Sequence, residues 1–216
     1  MTPGEILRAG LIELDLPLTE RQHDQLLTYL SELEMWNPTH GLVNASGAEL
    51  VTRHLLDCAA GAAVFRRELH DGAVVIDAGS GAGLPGIPLA VLLPELRFLL
   101  VERSARRVGF LRNAIATCRI ENVTAVEDQV GRVDVGADAV TCRAFHPLTR
   151  DTYTELGRSL TEAGLIVLYK GSLRRLTEET RRLPEEAIIS VEPLLVPGLE
   201  EERHLVLLRP HRDGRG

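Results

Sequence analysis

The chain has 216 residues, 44% of them hydrophobic and 25% charged, with a formal net charge of −7. This length suits one globular domain with an appendage, and the acidic balance argues against a protein that coats nucleic acid. Three widely spaced cysteines (Cys58, Cys118, Cys142) suggest neither a disulfide framework nor a zinc site. The acidic first residues and the short, proline-broken apolar run at 84–93 point away from a signal peptide or a membrane span. The resulting expectation is a reduced, cytoplasmic protein.

Residues 4–14 and 19–35 are expected to be helical. Thr19-x-x-Gln22 has the form of a capping box, and Leu26, Leu27, Leu30 and Leu33 make one apolar stripe. Trp36-Asn37-Pro38 predicts the end of that helix, because the residue before proline disfavours the helical region. Ser46-x-x-Glu49 predicts the start of another helix, running to about residue 69. Residues 1–70 thus form a helical N-terminal extension, and 71–210 hold the core.

Strands and helices alternate from there. Strands are predicted near 73–77, 97–102, 123–127, 138–142, 164–169, 187–195 and 203–209, with helices at 86–93, 104–118, 148–160 and 172–182. This pattern implies an α/β, Rossmann-like fold with a mostly parallel sheet covered on both faces. The last two strands follow one another across Pro197-Gly198, which predicts an antiparallel hairpin at one edge. Residues 211–216, within the basic end RPHRDGRG, are expected to be a disordered tail.

DAGSGAGLPGIP (77–88) follows the first predicted strand and contains G-x-G-x-x-G, the form of a dinucleotide pyrophosphate site. Gly79, Gly81 and Gly83 allow sharp turns and a close approach to a ligand. Glu102 ends the next strand, 21 residues after Gly81, where a carboxylate can accept from both ribose hydroxyls of NAD or of S-adenosylmethionine. Pro85 and Pro88 have no N–H to offer a phosphate, and Asp77 would repel one. S-adenosyl-L-methionine carries an ammonium and a sulfonium instead of phosphate, so Asp77 suits it, directly or through water. The competing readings are an NAD-dependent oxidoreductase, a non-catalytic nucleotide-binding module, or a tight turn with no ligand.

Other chemistries find little footing. There is no Cys-x-x-Cys or His-Glu-x-x-His, and Lys170-Gly171-Ser172 lacks the upstream glycines of a phosphate loop. Cys142 reads as a small buried residue at a strand end in preference to a nucleophile. The five arginines between Arg103 and Ile120 read first as a solvated helix face. Lys170 stands out as the one lysine beside 23 arginines.

Several motifs in order then resemble one family, the bacterial small-subunit ribosomal RNA methyltransferases that modify guanine at N7, once named glucose-inhibited division protein B. WNPTHGLV is similar to its W-N-x-x-x-N-L-T, VTRHLLDC to R-H-x-x-D-S, and ERSARRVGFL to D-S-x-x-K-R-x-x-F-L. CRAF is similar to S-R-A-F, LYKG carries its K-G, and DAGSGAGLPGIPLA is nearly its whole glycine loop. Departures include Gly41 for Asn, Cys58 and Cys142 for Ser, Glu102 for Asp, Arg106 for Lys, and Gly131 where an acid is common.

The resemblance implies a class I methyltransferase that binds S-adenosyl-L-methionine and acts on 16S ribosomal RNA or the small subunit; separately, no metal and a monomeric state are expected. To Asp77, Gly81 and Glu102, expected at the cofactor from the loop and the strand that follows it, the resemblance adds Gly79, Leu84, Val130, Gly131 and Arg143. His54, Arg106, Arg107 and Lys170 become candidates for holding RNA. His54 has the alternative of a histidine packed on the sheet, Lys170 of a side chain reaching past a buried strand to solvent, and the arginines of plain surface charge. Guanine N7 has a lone pair and no proton, so no general base is expected, and orientation is expected to carry catalysis.

Overall fold

The computed structural model describes residues 1–143, 148–181, 183 and 187–210; the predicted 211–216 tail and the end of the 172–182 helix lie outside them. α1 (Pro3–Glu13) and α2 (Glu20–His40) both open on capping boxes, Thr2 with Glu5 and Thr19 with Gln22. Each box satisfies two of the amides a helix start leaves unpaired. α2 continues past the predicted stop, with Pro38 inside its last turn, and ends at Gly41 with φ +56°. A proline this near the end forfeits one hydrogen bond, and neighbouring contacts compensate. The Asn37 carboxamide accepts the amides of Leu42 and Val43 and donates to the Val43 carbonyl, while Trp36 packs edge-on to Phe110.

The helix predicted at 46–69 is broken. It comprises α3 (Ala48–Leu50), a π-helical stretch Val51–Leu56, α4 (Asp57–Ala59) and α5 (Ala62–Glu68). The predicted Ser46–Glu49 box is not formed; Gly47 is the N-cap and no side chain caps the start. The interruption at Ala60-Gly61 has a tertiary cause. The Tyr169 hydroxyl donates to the Cys58 carbonyl at 2.8 Å, and a Cβ on Gly61 would stand 2.2 Å from that hydroxyl.

The sheet holds β1 (Val74–Ala78), β2 (Arg97–Glu102), β3 (Val123–Glu127), β4 (Ala137–Arg143), β5 (Leu160–Lys170), β6 (Ile188–Pro193) and β7 (His204–Leu208). Their spatial order is β3-β2-β1-β4-β5-β7-β6. Pairings among β1 to β5 are parallel, and β7 runs antiparallel to both β5 and β6, so the predicted terminal hairpin sits at one edge. α6 (Gly86–Leu92), α7 (Ala105–Cys118), α8 (Arg150–Gly157) and α9 (Leu173–Thr180) complete the alternation.

Period-two alternation sorts strand side chains into two cores. Val75, Leu100, Val167, Leu205 and Leu207 join Leu7, Leu26, Leu33 and Phe110 in one cluster. Ile76, Val140, Ile166, Val206 and Leu208 join Tyr153 and Leu156 of α8 in the other. The helical extension therefore shares the core of one sheet face. Order reverses between β1 and β4, which opens a crevice at the carboxyl ends of these strands, the usual ligand position in such sheets.

Candidate cofactor and nucleic-acid site

The glycine loop leaves β1 and enters α6. The Gly79 and Ser80 amides donate to the Val101 carbonyl, those of Gly83 and Leu84 to the Ser80 carbonyl, and Ile87 to Gly83. Gly81 donates to a Glu102 carboxylate oxygen at 3.1 Å and Gly86 to Asp77 at 3.0 Å. Apart from Ala82, each amide from Gly79 to Ile87 is engaged within the protein, and Pro85 has none. A pyrophosphate would meet almost no donors here. Tyr29 of α2, fully buried, donates to the Ala82 carbonyl at 2.7 Å, so the helical extension holds the loop from behind.

The glycines divide by task. Gly79 is exposed with φ +66°, and a Cβ on Gly81 (φ +57°) would meet only the Gly79 carbonyl, at 3.8 Å. These two leave room for a ligand. Gly83, expected to do the same, faces inward: a Cβ there would lie 2.5 Å from Ile87 Cδ1. Gly86 is tighter, with Leu100 Cδ2 at 2.2 Å and Asp77 Oδ2 at 2.7 Å from the added carbon. Gly86→Ala is expected to cost about 1–3 kcal/mol through overpacking, measured as a lowered urea midpoint; an unchanged midpoint would mean the α6 entry yields freely.

Asp77 lies beneath the loop with its side chain fully buried. One oxygen fixes Gly86, and Oδ1 has no hydrogen-bond partner among the described residues. Burial pushes its carboxyl up to about 7, against the pull of its hydrogen bonds and Arg143. Glu102, also buried, accepts the Gly81 and Ser104 amides on its two oxygens, with Arg107 3.8 Å away. Each oxygen keeps a second lone pair for a hydroxyl. Leu84 is buried at the α6 entry. Val130 and Gly131 begin the 3-10 turn Val130–Arg132 after β3, where Glu155 of α8 stands against Gly131.

A second set of residues gathers at the ends of β4 and β5, around a cavity of about 990 Å³. Arg143 donates to Asp57 Oδ2 (2.8 Å), to the Arg53 carbonyl (2.9 Å) and to His54 Nδ1 (2.7 Å). Arg203 pairs with the other Asp57 oxygen at 3.2 Å. Because His54 Nδ1 accepts, its ring proton sits on Nε2, which is buried and without a partner among the described residues. Burial and Arg143 push His54 down to about 4, so at neutral pH it offers an N–H and no charge. Lys170 pairs with Glu179 of α9 at 2.6 Å.

Of the predicted RNA-side residues, the fold brings His54 and Lys170 to this cavity together with Arg143. Arg106 and Arg107 stand elsewhere, at the start of α7 beside the glycine loop, where Arg106 donates to the His40 carbonyl and so closes the end of α2. Asp57, Arg203, Glu179 and Tyr29 were missed. His54-x-x-Asp57 spacing, which puts both on one helix face, was the available signal for the first; the others had none. Cys142 is buried and its thiol is pushed up to about 12 by that burial, which leaves no thiolate for nucleophilic chemistry.

A parallel sheet reversing between β1 and β4, with a glycine turn closed to phosphate and an acid ending β2, is the architecture of the class I S-adenosylmethionine-dependent methyltransferases. Solved methyltransferases share it. Precorrin-6y C5,15-methyltransferase from Geobacter metallireducens superposes with a TM-score of 0.55 at 20% identity, over 70% of this chain and 87% of that one. Aeropyrum pernix fibrillarin, in complex with natively bound S-adenosyl-L-methionine, gives 0.52 at 12% identity, over 71% and 76%.

The chain belongs to the rRNA small subunit methyltransferase G family, whose sequence model matches residues 22–206. Proteins named ribosomal RNA small subunit methyltransferase G from Ralstonia nicotianae and Polaromonas naphthalenivorans are 40% and 35% identical to it. Each match covers 94% of both partners. The Coxiella burnetii protein of that name is 33% identical over 96% of this chain and 98% of its own length.

Proposed function

We propose that this protein transfers a methyl group from S-adenosyl-L-methionine to N7 of a guanine in 16S ribosomal RNA, acting in the cytoplasm as a monomer. The observation that carries the reading is the glycine loop: its amides are spent internally while Gly79 and Gly81 stay open, so it suits a cofactor without phosphate. The names of the relatives supply the RNA. No helix among the described residues is long and apolar enough to cross a membrane, and no group of residues there forms a metal site.

In this reading Gly79, Gly81 and Leu84 line the cofactor and Glu102 accepts from its ribose. Val130 and Gly131 border the adenine, and Arg143 closes the far side. Asp77 acts from under the loop, its carboxylate when ionised lowering the potential where a cation would lie. The bound cofactor supplies a sulfonium-activated methyl carbon. The protein needs no base, because N7 attacks with a free lone pair; what it supplies is alignment, which is worth several orders of magnitude in rate.

His54 and Lys170 stand on the RNA side, with Arg106 and Arg107 flanking the loop. A donor placed on N7 itself would block attack, so the cationic groups serve O6 or phosphate. RNA targets are reached as splayed bases. The reading is tested by incubating small subunits that lack the modification with the protein and tritiated cofactor, then mapping the labelled base. Label at a guanine N7 supports it, and absence of transfer refutes it. Lys170→Ala is expected to lower kcat/KM for RNA about tenfold or more, with the cofactor dissociation constant unchanged by calorimetric titration. Equal loss of both would remove Lys170 from the RNA side.

A further inference from the structure

The cavity at the ends of β4 and β5 is not uniformly basic. Glu179 stands in it, held at two points: its Oε2 takes the Lys170 ammonium at 2.6 Å and the Leu148 amide at 3.1 Å. Both partners of the ion pair are largely enclosed, with side chains 17% and 26% exposed. A fixed carboxylate repels phosphate, so a site meant only for RNA backbone has no use for it. A base presents a different demand.

Methylation at N7 needs that lone pair free, which removes the N7 side of guanine from recognition. What remains is O6, an acceptor, next to N1–H and the 2-amino group, both donors. The Lys170–Glu179 pair presents a donor immediately beside an acceptor, in the complementary order. Adenine reverses both: its 6-amino group would face the ammonium and its N1 lone pair the carboxylate. Each mismatch leaves a buried polar group opposed, the arrangement by which a site rejects a wrong base strongly.

We propose that Glu179 is the residue that selects guanine, accepting from N1–H and the 2-amino group while Lys170 donates to O6. The assignment rests on the guanine-N7 reading above. It also gives the positively charged 7-methylguanine product an anionic neighbour. No proton is transferred; Glu179 acts through hydrogen bonding alone.

The test compares wild type and Glu179→Gln on small-subunit RNA carrying guanosine or inosine at the mapped acceptor position. Inosine keeps O6 and N1–H and lacks the 2-amino group. Wild type is expected to lose about tenfold in kcat/KM on inosine. Glu179→Gln is expected to fall roughly 10- to 100-fold on guanosine, to discriminate little between the two bases, and to keep its RNA dissociation constant and its cofactor binding. Three results overturn the assignment: wild type treating both bases alike, the variant retaining the wild-type ratio, or the variant changing only RNA affinity. The first of these needs no variant, so misfolding of Glu179→Gln cannot shield the assignment. Failure of wild type to methylate any guanine N7 would strike the underlying reading instead.

Discussion

Asp57→Asn is expected to lower the free energy of unfolding by about 3–5 kcal/mol, the usual effect of removing one partner from a buried ion pair. The Asp57 side chain is 4% exposed and holds two guanidinium groups, Arg143 on one oxygen and Arg203 on the other. Asparagine keeps the shape and loses the charge, so Arg143 stays enclosed without its counterion while Arg203 keeps Glu201 nearby. The partial exposure of the arginines, 16% and 21%, places the effect toward the lower end of that range. Urea unfolding followed by circular dichroism and by the fluorescence of Trp36 measures it. A loss below about 1 kcal/mol, typical of exposed pairs, would show that water reaches the cluster freely. The cluster joins the helical extension (Asp57), the end of β4 (Arg143) and the approach to β7 (Arg203), so cofactor affinity is expected to fall with stability.

Asp77 carries the second large effect, and it depends on pH. Burial holds its carboxyl at about 7, so near neutrality a substantial share is protonated before any ligand arrives. A cation bound above the loop favours the ionised form, so below pH 7 binding must expel a proton. The affinity for S-adenosyl-L-methionine is therefore expected to fall by up to about tenfold per pH unit between pH 7 and 5.5, where the ligand's own ammonium stays charged. Asp77→Asn is expected to flatten that profile and to weaken binding at pH 7.5 by roughly 10- to 100-fold, the scale of a hydrogen bond or contact to a charged group. Calorimetric titration across the range decides it. A wild-type profile as flat as the variant's would detach Asp77 from the cofactor.

Stability should respond in the opposite sense. The folded-state value lies above the ordinary 3.8, so the contribution of Asp77 is fully present below about pH 4. It is lost as pH rises through 7. Asp77→Asn is accordingly expected to be more stable than wild type at pH 8, while binding its cofactor less well. A residue that costs stability where it serves binding is a common feature of functional sites.

Much of the fold was legible because its signals are local. Capping boxes at Thr19, apolar runs ending in Asp77 and Glu102, and the alternation of strand and helix are set by near neighbours. Where the expected elements failed, distant residues intervened. Tyr169 reaches the Cys58 carbonyl and interrupts a helix that its own sequence would continue, and the clasp around Asn37 with the Trp36–Phe110 contact carries α2 through Pro38. Gly83 illustrates the same limit within the site. Its place in the G-x-G-x-x-G pattern suggests ligand approach, yet Ile87 and Leu111 fill the space its missing side chain leaves.

The preference for a cofactor without phosphate was already legible along the chain. Two prolines, an acid and a row of glycines lie within twelve residues, and which amides exist to meet a phosphate is a property of covalent structure. The sequence equally determined the family, through motifs that keep their order along the chain. What gathers at the ends of β4 and β5 depends on distant contacts instead. Arg143 and Asp57 are 86 residues apart, and Arg53 meets Glu201 across 148. Closing such distances takes the whole sheet and its shared core, because no short segment can bear the entropy of bringing those groups together. The same closure fixed the His54 tautomer, sank Asp77 under its loop, and set Glu179 beside the chain's one lysine.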